Sequence, residues 1–202
     1  MRKEERDYGD SIIPFSGGID STYLLMKYKG IPLVINDESK MFRQKELPAI
    51  RSILAKLDIR KGYFVRFPET DFLEIGSNSV VGLIPGYKML IQLTAMAYAQ
   101  KLGKKYVLLG NSKQNTEFKD EQYKNVKKLE ALYNTVYGTD IKVECPLQEL
   151  EKYEIIKMAK KIKLPFGLTQ SCCNQFTSID CGICSGCIKR KEGFKLAKIN
   201  DI

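Results

Sequence analysis

Apolar residues along this chain fall into short continuous runs, separated by longer stretches in which they recur every third or fourth position. Ile12, Ile13 and Phe15 form the first run and predict a buried strand; Tyr23-Leu24-Leu25-Met26-Lys27 opens a helix behind it. Ile31-Pro32-Leu33-Val34-Ile35, closing on Asn36 and Asp37, predicts a second buried strand. Helical spacing of Ile50, Ile53, Leu54 and Leu57 predicts a helix over 40–57 that Pro48 kinks or restarts. Residues 62–67 form a third strand candidate, and 68–85 carry little periodicity and are expected as a loop. Over 86–103 Met89, Leu90, Leu93, Met96, Ala97 and Leu102 predict one apolar helix face, stopped by Gly103. Then come a core strand over 105–109, a polar helix over 118–137, a short strand over 141–145 and an amphipathic helix over 153–162 opened by Glu151 and Lys152.

Strand and helix thus alternate, which predicts an α/β fold: a parallel sheet flanked by helices, with right-handed crossovers. The expected organisation is one α/β domain over residues 1–165 with a C-terminal arm over 166–202 packed on it. There is no internal repeat, low-complexity segment or flexible linker.

The turn after the first strand changes this picture from fold to chemistry. Ser16-Gly17-Gly18-Ile19-Asp20-Ser21-Thr22 joins a strand to a helix. Paired glycines leave the backbone N–H groups open, and the hydroxyls of Ser16, Ser21 and Thr22 are expected to point with them at a helix N-terminus, where an anion is favoured. A phosphate cradle is one reading; a glycine-rich turn without chemical consequence is the other. Asn36 and Asp37, and Gly110-Asn111-Ser112 after the fourth strand, fall at carboxyl ends of strands, where open α/β sheets take ligands.

Composition narrows the options. The chain has 202 residues, a net charge of +9 and no histidine. Mechanisms that need an imidazole base or a histidine metal ligand are excluded from this protomer. Lysines cluster over 157–163 and at Lys189-Arg190-Lys191, but no RNA-binding aromatic motif is interleaved with them, so direct nucleic-acid binding is not expected. No run approaches the roughly 20 apolar residues of a membrane span, and residues 1–7 are charged without an apolar signal core. A cytoplasmic location and no membrane partner are expected.

Five of the six cysteines lie within 172–187. Cys181-Gly182-Ile183-Cys184-Ser185-Gly186-Cys187 holds two overlapping C-x₂-C steps, and one upstream cysteine, Cys172 or Cys173, would complete a Cys₄ zinc site and leave the other as a free thiol. An Fe–S cluster is the competing use, and structural disulfides do not suit a reducing compartment. A closed Cys₄ site is structural and would pin the C-terminal arm to the sheet. Cys145 lies apart, at a strand end, where core packing is expected.

Ser16-Gly17-Gly18-x-Asp20-Ser21 resembles the pyrophosphate loop of the N-type ATP pyrophosphatases, a group that includes GMP synthetase, asparagine synthetase and tRNA thiolation enzymes. Thr169-Gln170-Ser171-Cys172, then Cys181-Gly182-x-Cys184-x-x-Cys187-x-x-Arg190-x-x-Gly193-Phe194, is similar to the zinc arm of the QueC family of 7-cyano-7-deazaguanine synthases. Ile84-Pro85-Gly86 and Pro146-Leu147 followed by Lys152, Glu154 and Ile155 resemble further segments of that family, so the likeness spans about residues 11–195.

The resemblance implies an adenine nucleotide alpha hydrolase-like (Rossmann-like) fold and an ATP-dependent carbon–nitrogen ligase of the queuosine and 7-deazapurine pathway. Its substrates would be 7-carboxy-7-deazaguanine and ammonia, with the carboxylate activated as an adenylate. It further implies that Ser16, Gly17, Gly18, Asp20, Ser21 and Thr22 hold the triphosphate and that Asp20 orients Mg²⁺. Ile35 and Asn36 would contact adenine, with Gly110 facing the same nucleotide, and Lys152 and Arg190 would offset charge at phosphate or carboxylate. Cys172, Cys181, Cys184 and Cys187 would hold Zn²⁺, and the family implies a homodimer.

Some segments depart from the family pattern. Residues 37–43 lack the family's Tyr-Gly-Gln-Arg-His-like motif, Pro85-Gly86-Tyr87-Lys88 stands where the family has Pro-Gly-Arg-Asn, and 115–121 lack its Tyr-Pro-Asp-Cys-Arg-like motif. Cys173 replaces an aromatic residue. These departures imply two alternatives to the leading reading: a divergent paralogue that adenylates a different carboxylate or attaches a deazapurine to a macromolecule, and a non-catalytic nucleotide-binding module. A thiolation enzyme would need a cysteine beside the ATP loop, and Cys145 is the sole cysteine outside the cluster.

Overall fold

The computed structural model of the chain describes residues 7–36, 45–66, 71–72, 82–83, 86–113, 122–174 and 179–201. Expectations for Asp37 to Arg43, for Ile84 and Pro85, and for 115–121 lie outside these residues.

Five strands form one parallel sheet: β1 (Ser11–Pro14), β2 (Ile31–Asn36), β3 (Tyr63–Arg66), β6 (Tyr106–Leu108) and β7 (Lys142–Glu144), in the order β3-β2-β1-β6-β7. A two-stranded antiparallel pair, β4 (Asp71–Phe72) with β5 (Gly82–Leu83), lies within the region expected as a loop. Two residues per strand are too few to leave a period in the sequence.

Adjacent residues of each central strand face opposite sides of the sheet, and both sides are covered. Ile13, Val34 and Leu108 pack with helices α1 (Ile19–Tyr28), α2 (Leu47–Lys56), α5 (Lys152–Lys161) and α6 (Ser185–Ala197). Ile12, Leu33 and Val107 pack with α3 (Tyr87–Lys101) and α4 (Tyr123–Tyr137). This is why the strands are apolar throughout rather than alternating. Phe166, Phe194 and Ala197 from the C-terminal segment share the first of these cores with β1 and α1, and Phe166 meets Phe194 edge-on at 5.0 Å.

Two helix expectations are sharpened. Pro48 stands in the first turn of α2, directly after a π turn at residues 45–46, where its missing N–H costs little, so of the two expected outcomes the helix restarts there. The buried face of α3 is Gln92, Ala95, Met96 and Ala99, while Met89 and Leu90 are 41% and 39% exposed. Small residues decided the rotation: Ala95 and Ala99 let α3 lie close on the sheet. Gln92 is buried because its Nε2 donates to the Val126 carbonyl of α4 at 2.8 Å.

Candidate functional site

The sheet order places β1 beside β6, with β2 and β3 on one side and β7 on the other. The chain therefore reverses direction across the sheet between β1 and β6, and the loops leaving these strands part to open a crevice at their carboxyl ends. A cavity of about 400 Å³ lies there, a size suited to a small molecule. Ser16, Gly18, Asp20 and Ser21 line it from the β1–α1 turn, Ile35 from β2, Gly110 and Asn111 after β6, Lys152 from α5, and Gln170, Ser171 and Cys173 from the arm.

The glycines of the turn are needed for close approach. Gly17 has φ +74°, and a Cβ there would come within 3.2 Å of Ile50 Cγ1 and of the Ile50 backbone nitrogen. Gly18 caps α1 without a side chain. Its carbonyl accepts from the Thr22 amide at 3.0 Å, from Thr22 Oγ1 at 2.7 Å and from Ser21 Oγ at 3.3 Å. Ser16 and Ser21 hydroxyls lie 3.3 Å apart on the cavity wall. The hydroxyl of Thr22 does not join them: the residue is fully buried and its Oγ1 is spent on Gly18. A threonine four residues into a helix start finds the carbonyl behind it before it finds solvent.

Asp20 lies in the first turn of α1. Lys152 Nζ donates to both of its carboxylate oxygens, at 2.7 and 2.6 Å. Lys152 is the first residue of α5, a poor place for a cation next to the positive end of the helix. A reciprocal cap between Glu151 and Glu154 fixes that helix start, and Asp20 supplies the countercharge. Gly193 of α6 faces the stem of Lys152: a Cβ at 193 would lie 2.7 Å from Lys152 Cγ. Gly110 likewise lets the β6 loop pass the start of α1, 3.4 Å from Asp20 Cβ to a Cβ placed there.

Arg190 borders the cavity but its donors point into the protein. Nη1 donates to Thr169 O (3.1 Å), Thr169 Oγ1 (2.9 Å) and Ser171 Oγ (3.4 Å), and Nη2 to Phe166 O (2.9 Å). Nε and Nη2 grip Asp201 at 2.6 and 2.7 Å. A guanidinium with all three nitrogens engaged fastens the arm; it has no donor to lend to a phosphate. Ile35 stands at the cavity through β2. Beside it Asn36 ends β2, and the side chain of Asn36 is outside the described set.

Next to the cavity, the sulfurs of Cys172, Cys181, Cys184 and Cys187 all lie within 4.8 Å of one another. A tetrahedral ion with metal–sulfur bonds of about 2.3 Å needs sulfurs about 3.8 Å apart, and Cys184 Sγ lies 3.9 Å from Cys172 Sγ. The donor set fits a single thiophilic ion. Backbone amides support it: Cys181 N–H donates to Cys172 Sγ (3.4 Å), Cys184 N–H to Cys181 Sγ (3.3 Å) and Cys173 N–H to Cys184 Sγ (3.4 Å). Burial pushes the Cys172 thiol up, but the Lys45 ammonium 2.9 Å away and the Cys181 amide pull it below the ordinary thiol range. Burial dominates at Cys187, whose thiol is pushed up, so an ion is what would make all four thiolates together. The upstream sulfur that joins this cluster is that of Cys172, while Cys173 lies outside the four, exposed and on the cavity wall. Gly186 is required beside it, since a Cβ there would collide with the Ser171 carbonyl.

Sequence reasoning passed over Lys45 and Glu46 at the entry to α2, and the cavity position of Gln170, Cys173 and Lys189. Elimination within the cysteine cluster could have singled out Cys173; nothing in the local pattern marks Lys45. Cys145 is buried at the end of β7 among apolar residues. Among the described residues no helix is long and apolar enough to cross a membrane.

Comparison with known proteins adds a family to this geometry. A relative from Nautilia profundicola named 7-cyano-7-deazaguanine synthase is 28% identical over 216 residues, 95% of this chain and 96% of that one. One of the same name from Methanobrevibacter smithii is 29% identical over 137 residues, 66% of this chain and 59% of its own length. Among solved structures, a U34-tRNA thiolase, NcsA from Methanococcus maripaludis with its 4Fe–4S cluster, aligns with a TM-score of 0.49 and 14% identity, covering 96% of this chain and 67% of that one. The family model described as queuosine biosynthesis protein QueC matches residues 74–198, more than half of the chain, and its curated relatives carry the name of a ligase-type enzyme. The chain belongs to the QueC family.

Proposed function

We propose that this protein is an ATP-dependent ligase that converts 7-carboxy-7-deazaguanine and ammonia to 7-cyano-7-deazaguanine. The observation that carries the reading is the convergence of the glycine turn, Asp20 and Lys152 on one crevice at the switch point of the sheet. Ser16, Gly18 and Ser21, with the N-terminus of α1, hold the phosphates of ATP; Gly17 shapes the turn and Thr22 caps it. Asp20 would hold Mg²⁺, and Lys152, its ion-pair partner, offsets the charge that grows on pyrophosphate as the carboxylate attacks the α-phosphorus. Ile35, with Asn36 at the end of β2, borders adenine, and Gly110 lets the nucleotide lie close to α1.

Ammonia then displaces AMP to give an amide, and a second activation removes its oxygen to leave the nitrile. Each step is assisted by position and charge, which suits a chain with no histidine. Arg190 acts in this scheme by fastening the arm. The cysteine site takes Zn²⁺, whose part is structural. The family resemblance adds a homodimer, which sedimentation would test, and a cytoplasmic location.

The test is incubation with 7-carboxy-7-deazaguanine, ammonia and Mg-ATP. AMP release that depends on the acid, and a nitrile product by mass spectrometry, are expected. ATP consumption unaffected by the acid would overturn it. One observation favours a second reading: Tyr87 and Lys88 line the cavity where the family pattern has Arg-Asn. In that reading the same adenylating machinery acts on a different carboxylate, and the acid above leaves ATP turnover unchanged while another acid raises it.

A further inference from the structure

Lys45 is 6% exposed, and neither the phosphate loop nor the cysteine set contains it. Its Nζ donates to Cys172 Sγ at 2.9 Å and to the Ile179 carbonyl at 2.9 Å. It therefore touches both stretches that bring sulfurs to the metal site: the 169–173 stretch through Cys172, and the stretch entering Cys181 through Ile179. Four thiolates around a divalent ion leave two net negative charges in a site where Cys172 and Cys187 are buried. An ammonium in contact with one sulfur offsets one of those charges.

Lys45 also leads directly into α2, and the start of α2 is packed on the phosphate loop. Ala49 Cβ and Ile50 Cγ1 lie 3.3 and 3.2 Å from where a Gly17 Cβ would stand. The loop is held from the other side by the arm: the Gln170 amide donates to Gly17 O at 2.9 Å, and Gln170 Nε2 donates to Cys172 O at 3.0 Å. The contacts close a ring that runs from Gly17 to Gln170, Cys172, Lys45, the start of α2 and back to Gly17.

We propose that Lys45 is a positioning residue of the metal site, balancing the tetrathiolate charge, and that through this ring it sets the geometry of the phosphate loop. The first half rests on the fit of the cysteines to a metal; the second rests on the ATP-binding reading above. The zinc-loaded full chain is compared as wild type, Lys45→Met, Lys45→Gln, and Lys160→Met as an exposed-charge control. Competition with a chromophoric chelator reads zinc affinity, the cobalt(II)-loaded proteins give the sulfur-to-metal charge-transfer band, and ATP binding is measured by calorimetry at saturating zinc.

Lys45→Met is expected to weaken zinc ~10- to 100-fold, the range of lost outer-shell partners, and to shift the cobalt band to lower energy as Cys172 Sγ loses its donor. Lys45→Gln, which keeps an N–H and drops the charge, is expected to fall between and remains informative should Lys45→Met not fold. ATP affinity of the zinc-loaded Lys45 variants is expected to fall about fivefold or more, the lower range of couplings between sites, with Lys160→Met unchanged. Wild-type zinc affinity and an unshifted band in both Lys45 variants would overturn the charge-balancing role. Unchanged ATP affinity would overturn the link to the phosphate loop. A wild type that binds no ATP overturns the ATP reading and the link with it, while the zinc and cobalt results still decide the role of Lys45 at the metal.

Discussion

The cavity and the cysteine site are neighbours joined by five residues, 169–173, and are built on opposite principles. At the cavity the side chains of the glycine turn have partners inside the protein: Asp20 has Lys152, Ser16 has Ser21, and Thr22 has the Gly18 carbonyl. Those partners are exchangeable, because both side chains of each cavity-facing pair line an open space. At the cysteine site four sulfurs converge within 4.8 Å, a spacing that suits one shared ion. On the proposed reading, the cavity exchanges its internal partners for a ligand, while the cysteine site depends on its ion for its shape. Both use glycine for the same reason, close backbone approach at Gly17 and at Gly186.

The contrast predicts that damage to the cysteine site appears as lost fold and damage to the cavity as lost turnover. The largest effect is expected from Cys184→Ser: zinc binding weaker by ~100-fold or more, and a thermal midpoint lowered by many degrees, read from metal content and calorimetric unfolding. An unchanged midpoint would break the contrast at its metal end. Next, Asp20→Asn is expected to lower turnover of the deazapurine acid by ~10²–10³-fold, the cost of one charge-stabilising group, with circular dichroism and metal content unaltered.

Arg190→Lys falls between the two. A lysine cannot reach Thr169, Phe166 and Asp201 together, so unfolding is expected to become easier by about 2 kcal/mol. That is below the about 3–5 of a fully buried pair, because Asp201 is 36% exposed. ATP affinity measured on the folded fraction should hold; a selective loss of ATP affinity would return Arg190 to the cavity. The smallest effect is expected from Thr22→Val, about 1 kcal/mol of stability for one buried hydrogen bond, with turnover unchanged in a steady-state assay.

Much of this architecture was legible along the chain because it rests on local rules. Ile12-Ile13 and Val107-Leu108 mark strands buried on both faces, and Ser16 to Ser21 mark a strand-to-helix turn that needs glycine. The cysteine spacing carried the metal reading for the same reason, since three of the four ligands come from seven consecutive residues. What escaped depends on distance across the fold. Arg190 lies in the arm motif, and only the positions of Phe166, Thr169 and Asp201 show that its donors are spent. Lys45 and Cys172 are 127 residues apart, and no pattern along the chain announces that a lysine before a helix will end beside a sulfur. The face of α3 was legible in part: Leu93, Met96 and Leu102 pack on the core as expected, but apolar spacing could not show that Ala95 and Ala99 would turn Met89 and Leu90 outward.

Gly193 lies in α6, and a methyl group there would press on the stem of Lys152 and on Ile156 Cδ1, 2.8 Å away. The charge that faces Asp20 is therefore set partly by how tightly two helices are stacked. Mutational drift at this helix crossing could retune the cavity without altering a residue that touches ligand. For protein engineering the crossing is a remote control, and a saturation library at 193 would sample positions of the Lys152 ammonium that no substitution at 152 itself can reach.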